Sequence, residues 1–219
     1  MESMAQYFYE KDAPSFTPDW VKTYPIPRTS EKSTINYILI NDLPALVWSA
    51  NMANLEIHPF LAKAPNVDVP TMVVFDLDPG EEANILKSCE VAFLVKAVLD
   101  KLKLKSLVKV SGSKGIHLHV PLNTNVTYEM TKSFAQSIAQ FLEREHPDLI
   151  VSEMAKTKRK GKVFIDWSQN SEHKSTVAVY SLRAKGERPF VAMPVTWNEL
   201  TKAVKKTMLH PYSLNRRPL

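Results

Sequence analysis

One apolar run places the strongest constraint on how this chain can fold. Residues 71–77 read Thr-Met-Val-Val-Phe-Asp-Leu, and the run stops at an Asp-Pro-Gly sequence. Runs of this length that are rich in β-branched and aromatic residues and end at proline and glycine are typical of buried strands. Because successive side chains of a strand alternate between its faces, Asp76 and Asp78 share one face while Leu77 points into the core. The sequence therefore predicts a core strand that ends in two carboxylates.

The carboxylate pair suggests a metal site. Asp76 and Asp78 repel each other at a distance of a few ångströms unless a cation lies between them. Oxygen ligands of this kind suit Mn²⁺ or Mg²⁺. The sequence Phe-Ile-Asp-Trp at residues 164–167 places a third acid, Asp166, at the end of another apolar strand. We expect these three acids to bind metal; a solvated strand end and a turn-forming aspartate are the plainer alternatives.

Strand and helix patterns alternate along the rest of the chain. Strands are predicted at residues 35–40, 107–111, 116–121, 162–167 and 176–182, and helices at 43–54, 81–102, 128–144 and 197–206. Helices interspersed with strands, followed by two consecutive strands, indicate a mixed α+β (α/β) fold. We expect two small mixed or antiparallel sheets flanked by helices around a central cleft.

Two of only five glycines frame a short loop between two predicted strands. The loop reads Ser-Gly-Ser-Lys-Gly over residues 111–115. Its glycines allow a tight turn that presents backbone N–H groups to an anion, and Lys114 adds a positive charge. His117 and His119 follow on one strand face. We expect His117, which is nearer the loop, to be functional and His119 to be a hydrogen-bonded core residue.

Positive charge is concentrated just before Asp166, where residues 156–162 contain five lysines or arginines. Such a run is either a solvated loop or, beside a metal-binding carboxylate, a counter-charge for phosphates. The formal net charge of +5 also makes a polyanionic partner plausible. Together with Arg183 on a late strand, these features predict a two-metal phosphoryl or nucleotidyl transfer site. In such a site the metals activate the attacking oxygen, and cations hold a triphosphate in line.

The motifs together resemble the polymerase domain of ligase D, which belongs to the archaeo-eukaryotic primase superfamily. The resemblance is carried by Phe-Asp-Leu-Asp-Pro-Gly, Ser-Gly-Ser-Lys-Gly-Ile-His, Phe-Ile-Asp-Trp-Ser-Gln-Asn and Tyr-Ser-Leu-Arg-Ala, in the family's order. It implies a single primase-polymerase catalytic domain over residues 1–219. The implied activity is template-dependent nucleotidyl transfer (a DNA-directed DNA/RNA polymerase) that fills gaps or extends ends in non-homologous end joining, with two metal ions and a frequent preference for ribonucleotides.

The resemblance also implies roles for individual residues. Asp76, Asp78 and Asp166 match the catalytic metal ligands. The residues that match the site of the incoming triphosphate are Ser111, Lys114, His117 and Arg183, with Arg159, Gln169 and His58 close by. Phe8 and Tyr9 match an aromatic pair that stacks near template bases. Because family members usually carry a segment before this pair, with lysines for the 5′-phosphate of a DNA end, we expect Lys11, Lys22, Arg28 or a partner protein to take over end recognition.

The implied partners are a DNA primer-template or broken DNA ends, NTP or dNTP, a separate DNA ligase and a Ku-like end-binding protein. The single cysteine, Cys89, fits a reducing, cytoplasmic compartment, and we expect the protein to be associated with the nucleoid. The apolar runs fall well short of the ~20 residues of a membrane span. We therefore expect no membrane partner.

Two other functions fit parts of the pattern. In a haloacid-dehalogenase-type phosphatase, Asp76 would be the nucleophile and Asp78 a general acid. That family, however, wants a small residue or Thr after the second acid, where this chain has Pro79. A non-catalytic module that binds single-stranded nucleic acid is the other alternative, but three carboxylates facing a phosphodiester repel it unless metals intervene.

Overall fold

The computed structural model describes residues 9–28, 33–183 and 189–209. The chain divides into two compact units, Met1–Asn54 and Leu55–Leu219, each with its own secondary structure. The single catalytic domain over residues 1–219 stays a prediction. No helix of the described residues is both long and apolar enough to cross a membrane.

The first unit contains a β-hairpin and a helix. Strand β1 (Thr23–Pro27) pairs antiparallel with β2 (Thr34–Ile38), and helix α1 (Leu43–Asn51) follows. Asp42 caps the helix, because its carboxylate accepts a hydrogen bond of 2.8 Å from a backbone N–H of the first turn. The helix ends before residue 54, because Ala53 adopts a left-handed conformation with φ +57°.

The second unit carries the remaining elements of the described residues. Its strands are β3 (Ala62–Lys63), β4 (Asn66–Pro70), β5 (Met72–Pro79), β6 (Leu107–Val110), β7 (Ile116–Pro121), β8 (Ile150–Val151), β9 (Val163–Asp166), β10 (Leu182–Arg183), β11 (Phe190–Val191) and β12 (Met193–Val195). Its α-helices are α2 (Ile85–Lys101), α3 (Tyr128–Glu145) and α4 (Trp197–Leu209), and single 3₁₀ turns lie at Lys156–Lys158 and Trp167–Asn170.

The mixed α+β fold is confirmed, and its main sheet has six strands in the order β12-β6-β7-β5-β9-β8. Neighbouring strands are antiparallel except for β8 and β9, which are parallel. The sheets differ in number from the expected two, because β5 pairs with both β7 and β9 and so joins all the motif strands in one sheet. Two-stranded sheets are formed by β1 and β2, by β3 and β4, and by β10 and β11.

Helices α2 and α3 cover one face of the six-stranded sheet. Val73, Phe75 and Leu77 point from β5 into this interface and are almost wholly buried. Full burial of a side chain such as Phe75 contributes roughly 1.5–3 kcal/mol. Cys89 of α2 is 1% exposed in the same core, and burial raises the pKa of its thiol to about 11. The alternation of β5 therefore turns Asp76 and Asp78 toward the opposite face.

Two predicted elements of the second unit differ most from the observed ones. The strand predicted at 176–182 is wrong for most of its length: only β10 is regular, and Tyr180 has a left-handed φ of +66° that breaks the extended conformation. Helix α2 begins later than residue 81, because Glu82 has φ +64° and the Asn84 side chain caps the helix instead. As a result, no acid lies in its first turn.

Candidate active site

A row of polar residues crosses the sheet on the face away from α2 and α3. Lys109 on β6 pairs with His117 on β7, His117 pairs with Asp76 on β5, and Asp76 pairs with Asp166 on β9. Directly paired residues of neighbouring antiparallel strands project from the same face with their Cβ atoms about 4.5–5.5 Å apart. The sheet register thus aligns one lysine, one histidine and two carboxylates.

Asp76 lies in the middle of this row and is 8% exposed. Burial opposes its ionisation, but attraction to the adjacent His117 and the nearby Gln169 amide outweighs burial and lowers the pKa of Asp76. His117 Nε2 lies 3.2 Å from Oδ1, and Gln169 Nε2 lies 3.5 Å from Oδ2. The histidine contact is not aligned as a hydrogen bond, so Oδ1 has no hydrogen-bond donor among the described residues. A buried, charged oxygen of this kind suits a cation ligand.

The two histidines of β7 have different surroundings. His117 places Nε2 toward Asp76 and Nδ1 3.1 Å from the Thr176 hydroxyl. His119 instead lies with Nδ1 3.3 Å from the Met72 sulfur. Burial and the neighbouring charges of Lys109 and His117 lower the pKa of His119 to about 3, so it is neutral. His117 therefore adjoins Asp76, whereas His119, on the same strand face, is partly buried and its Nε2 has no hydrogen-bond partner among the described residues; that His117 is the functional histidine stays a prediction.

Asp78 follows at the open end of β5, where its side chain reaches solvent. Burial of the carboxyl group among its neighbours, then repulsion from Asp76 and from Asp166, raises the pKa of Asp78 to about 6. The glycine loop adjoins it, because a Cβ atom on Gly115 would lie 3.3 Å from Asp78 Oδ1. Without a cation between them, the charge on Asp76 thus disfavours ionisation of Asp78.

One carboxylate oxygen of Asp166 is engaged by Ser168 rather than directed toward Asp76 and Asp78. Its Oδ1 accepts hydrogen bonds from Ser168 N (2.9 Å) and Ser168 Oγ (2.6 Å), which cap the 3₁₀ turn that follows β9. Among residues 9–28, 33–183 and 189–209, no group of three or more His, Cys, Asp or Glu side chains lies close enough together to hold a metal ion. The register brings the three predicted ligands to one sheet face, and side-chain rotation is needed to bring their oxygens together.

The raised pKa of Asp78 predicts how metal and pH change the melting temperature, which can be measured without an activity assay. The pKa of Asp78 is about 6 in the folded chain against 3.8 normally, so the folded state holds this proton more tightly. That contribution to stability is present below pH 3.8 and is lost as the pH rises through about 6.

In EDTA, Asp78→Asn should therefore melt above wild type at pH 7, and the difference should shrink toward pH 4. Mn²⁺ should raise the melting temperature of wild type at pH 7 but not that of the variant. Differential scanning fluorimetry measures both effects. Equal stabilisation of the two proteins by Mn²⁺ would contradict a role of Asp78 in metal binding.

The glycine loop is closed on itself beside Arg183. Ser111 N donates to Gly115 O at 3.0 Å, and Gly115 N donates to Ser111 Oγ at 3.2 Å. Gly112 has φ +71°, and a Cβ atom there would lie 2.7 Å from Arg183 Cγ. Arg183 Nη1 in turn donates to Ser111 O at 3.2 Å. The structure thus brings the loop and Arg183 together, and Lys114 is exposed at the tip of the loop. That these residues bind a triphosphate stays a prediction.

The basic segment 156–162 packs against the end of β5. A Cβ atom on Gly80 would lie 1.9 Å from the carbonyl oxygen of Arg159, and Gly80 N donates to Lys162 O at 2.9 Å. The Arg159 guanidinium lies 3.7 Å from the centre of the Phe164 ring, and its charge favours the ionised form of Asp78. Lys158 and Lys160 form exposed ion pairs with Glu153 and Glu82, and pairs of this kind contribute only about 0–1 kcal/mol.

His58 lies near Arg183 because both residues contact Glu56, for which the sequence predicted no role of its own. Glu56 Oε1 lies 2.8 Å from His58 Nε2 and 3.0 Å from Arg183 Nε. In the first unit, the Lys11 ammonium lies 5.8 Å from the centre of the exposed Tyr9 ring. Phe8 lies outside the described residues.

Sequence reasoning missed several residues of the site. Lys109 is 3% exposed and donates a hydrogen bond to the Val177 carbonyl; burial lowers its pKa to about 8, against the attraction of Asp76. Asn170 lies beyond the end of β9. Its side-chain amide accepts a hydrogen bond from Val74 N at 2.8 Å and donates one to Val74 O at 2.7 Å. A lysine inside the apolar strand Leu-Val-Lys-Val was a detectable signal, because a buried lysine requires a polar partner.

Comparison with known proteins gives consistent matches. The family model described as LigD, primase-polymerase domain, matches residues 2–218. The multifunctional non-homologous end joining protein LigD of Mycolicibacterium smegmatis is 40% identical over 195 residues, which cover 88% of this chain and 25% of that protein. The bifunctional non-homologous end joining protein LigD of Bacillus subtilis is 31% identical over 204 residues, which cover 92% of this chain and 32% of that protein. The chain thus spans about a quarter to a third of the length of these relatives.

A solved structure has the same fold. The polymerase domain of Mycobacterium tuberculosis ligase D, in complex with DNA, superposes with a TM-score of 0.80 at 35% identity. The match covers 95% of this chain and 78% of that one.

Proposed function

The chain belongs to the LigD primase-polymerase domain family, and from this premise we propose that it is a template-dependent nucleotidyltransferase that fills gaps or extends ends at DNA breaks. The observation that carries the proposal is the cross-strand pairing of Asp76 with Asp166, with Asp78 two residues further along β5 and the glycine loop beside it. The family match disfavours the phosphatase and the non-catalytic binding module.

We propose that Asp76, Asp78 and Asp166 hold two divalent cations, Mn²⁺ or Mg²⁺. Their donor atoms are all oxygens, and Asp76 Oδ1 lacks a hydrogen-bond donor among the described residues. A cation would also favour the ionised form of Asp78, against the burial and the repulsion from Asp76 that raise the pKa of that carboxyl group. When bound, such ions activate the 3′-hydroxyl of a primer and neutralise the leaving pyrophosphate. His117 steadies the Asp76 carboxylate from the other side.

The cationic residues around the acids fit a triphosphate. Lys114 lies at the tip of the glycine loop, Arg183 contacts the loop, and Arg159 approaches Asp78 from the basic segment. Guanidinium groups bind phosphate oxygens in pairs, whereas an ammonium acts as a mobile point charge. We propose that Ser111, His117, Gln169 and His58 complete this nucleotide site, and that Phe8, Tyr9 and Lys11 of the first unit contact DNA.

Primer extension tests the proposal directly. The purified chain is incubated with a primer-template, Mn²⁺ and labelled NTP or dNTP, on gapped DNA with and without a 5′-phosphate. We expect templated addition of nucleotides to the primer. Release of phosphate from small esters without primer extension would contradict the polymerase assignment and favour the phosphatase.

Gly112 gives a prediction about nucleotide binding, with a matched control at Gly161. Both residues have nearly the same left-handed backbone, with φ +71° and +70°, so alanine strains both equally. A Cβ atom at Gly112 meets Arg183 Cγ at 2.7 Å and Ala192 N at 2.8 Å, whereas one at Gly161 meets nothing within 4 Å. Gly112→Ala should weaken nucleotide binding about tenfold, since overpacking of this kind costs about 1–3 kcal/mol.

Fluorescence titration with a labelled nucleotide measures that affinity, and thermal melting measures the strain. Gly161→Ala should show a similar loss of stability but keep the nucleotide affinity. Equal nucleotide affinity in the two variants would indicate that Gly112 acts only on the backbone turn.

Thr176 gives a prediction about His117. If Nε2 carries the only ring proton of His117 and faces Asp76, Nδ1 accepts from the Thr176 hydroxyl, and this hydrogen bond orients the imidazole. Thr176→Val should lower primer extension about fivefold, since a hydrogen bond contributes about 1 kcal/mol and its loss lets the imidazole rotate. Thr201→Val removes a comparable hydroxyl that donates to Trp197 O on α4 and should leave extension unchanged. Equal primer extension by the two variants would show that the Thr176 hydroxyl has no role in the reaction.

We further propose partners and a location that follow from the family. The chain would work on broken DNA ends together with a DNA ligase and a Ku-like end-binding protein, in the cytoplasm and near the nucleoid. Co-purification of Ku and ligase with the tagged chain on nicked or broken DNA tests this proposal.

A further inference from the structure

We infer that Glu56 is a positioning residue for the incoming nucleotide and acts through Arg183 rather than by touching the phosphates. This inference rests on the proposed function and adds a residue to the same site. It follows from a single carboxylate oxygen, Glu56 Oε1, that lies 2.8 Å from His58 Nε2 and 3.0 Å from Arg183 Nε.

The guanidinium of Arg183 is held at two points. On one side, Nε faces the Glu56 carboxylate at ion-pair distance, without the alignment of a hydrogen bond. On the other side, Nη1 donates to Ser111 O at 3.2 Å. The Arg183 side chain is 14% exposed, and its Nη2 makes no hydrogen bond within the described part of the chain. Because Nε and Nη1 are fixed, Nη2 is presented to a ligand in a single orientation.

The backbone explains why Glu56 meets these partners. Residues 55–57 lie along the segment that leads into β10, since Leu182 N donates to Leu55 O at 2.8 Å and Ala178 N donates to Ile57 O at 2.8 Å. In an extended segment, residues 56 and 58 point to the same side, which brings Glu56 and His58 together. The pairing holds the carboxylate against Arg183 before any nucleotide arrives.

The sign of the effect distinguishes positioning from simple electrostatics. A carboxylate beside a triphosphate repels it, so removal of Glu56 would tighten nucleotide binding if bulk charge decided the affinity. If Glu56 orients Arg183 instead, its removal releases a long side chain whose ordering then costs binding free energy. The two accounts predict opposite changes in KM for the nucleotide.

The test uses Glu56→Gln, which keeps the shape and removes the charge, and Glu56→Asp, which keeps the charge but is one methylene too short to reach both partners. We expect both variants to raise KM for the nucleotide about tenfold, because the released Arg183 side chain must be ordered again when the nucleotide binds, and to change kcat less than about twofold. The control is Glu90→Gln, an exposed acid on α2 behind the sheet, which should behave as wild type. Melting temperatures establish that each variant is folded.

A double-mutant cycle makes the test specific for Arg183. In an Arg183→Ala background, Glu56→Gln should add less than about twofold to KM, because coupled residues are non-additive. Independent, multiplying effects would overturn the inference, as would an unchanged or lower KM in Glu56→Gln.

Direct titration with a fluorescent nucleoside triphosphate and Mn²⁺ separates this inference from the proposed function. If wild type binds nucleotide but extends no primer, the polymerase assignment fails, while weaker binding by both Glu56 variants still supports the positioning role. If wild type binds no nucleotide, both fail.

Discussion

Asp76→Ala is expected to lower primer extension by a factor on the order of 10³ or more, because it removes a charged oxygen that we propose as a ligand of the catalytic metal ions. Asp76 is the one acid of the site that faces both His117 and Asp166 across the sheet. Binding of DNA should be largely retained, because DNA affinity depends mainly on basic side chains that contact phosphates.

Primer extension in Mn²⁺ and an electrophoretic shift with the same DNA measure the two properties. Asp76→Asn keeps the side-chain shape and should be as inactive as the alanine variant, which separates lost charge from lost packing. Asp100→Ala, on the outer side of α2 and paired with Lys96, is the matched control and should remain active. Normal extension by either Asp76 variant would refute the metal assignment.

Gly80→Ala is expected to reduce extension about a hundredfold, since a displacement of about 1 Å at an active site can cost that much. The added Cβ would lie 1.9 Å from the carbonyl oxygen of Arg159, and backbone atoms cannot yield as a flexible side chain does. The basic segment must therefore shift away from the end of β5. Arg159 moves with it and loses its place beside Asp78.

Kinetics of nucleotide addition and thermal melting together measure this effect. The matched control is Gly161→Ala, within the basic segment itself, where a Cβ atom meets nothing within 4 Å. We expect the control to lose some stability from its left-handed backbone but to keep most of its activity. Similar kinetics in the two variants would indicate that the position of the basic segment does not matter for the reaction.

Local signals allowed most of the site to be predicted from the sequence. The alternation of β5 predicts that Asp76 and Asp78 share a face, and the strand ends as expected at Pro79. The helix cap at Asp42 and the tight loop at residues 111–115 depend on neighbours within a few residues, so their chemistry is visible in the sequence. The catalytic and binding roles of these residues rest on the family motifs and stay proposals.

Contacts between distant segments could not be predicted in this way. Glu56 meets Arg183, and Thr176 meets His117, across separations that no local pattern encodes. The segment 176–182 has the composition of a strand, but Tyr180 turns left-handed where the chain follows the irregular residues 55–59. Tertiary packing overrode β-propensity there, as it commonly does.

The burial of Cys89 makes this protein convenient for site-specific labelling. It is the single cysteine of the chain, it is 1% exposed, and the pKa of its thiol is about 11, so almost no reactive thiolate forms at neutral pH. A cysteine introduced at Glu90, on the exposed side of α2 and behind the sheet from Asp76, would therefore react alone with a maleimide dye. Movement of the labelled protein on a single DNA end could then be followed with the native thiol left in place.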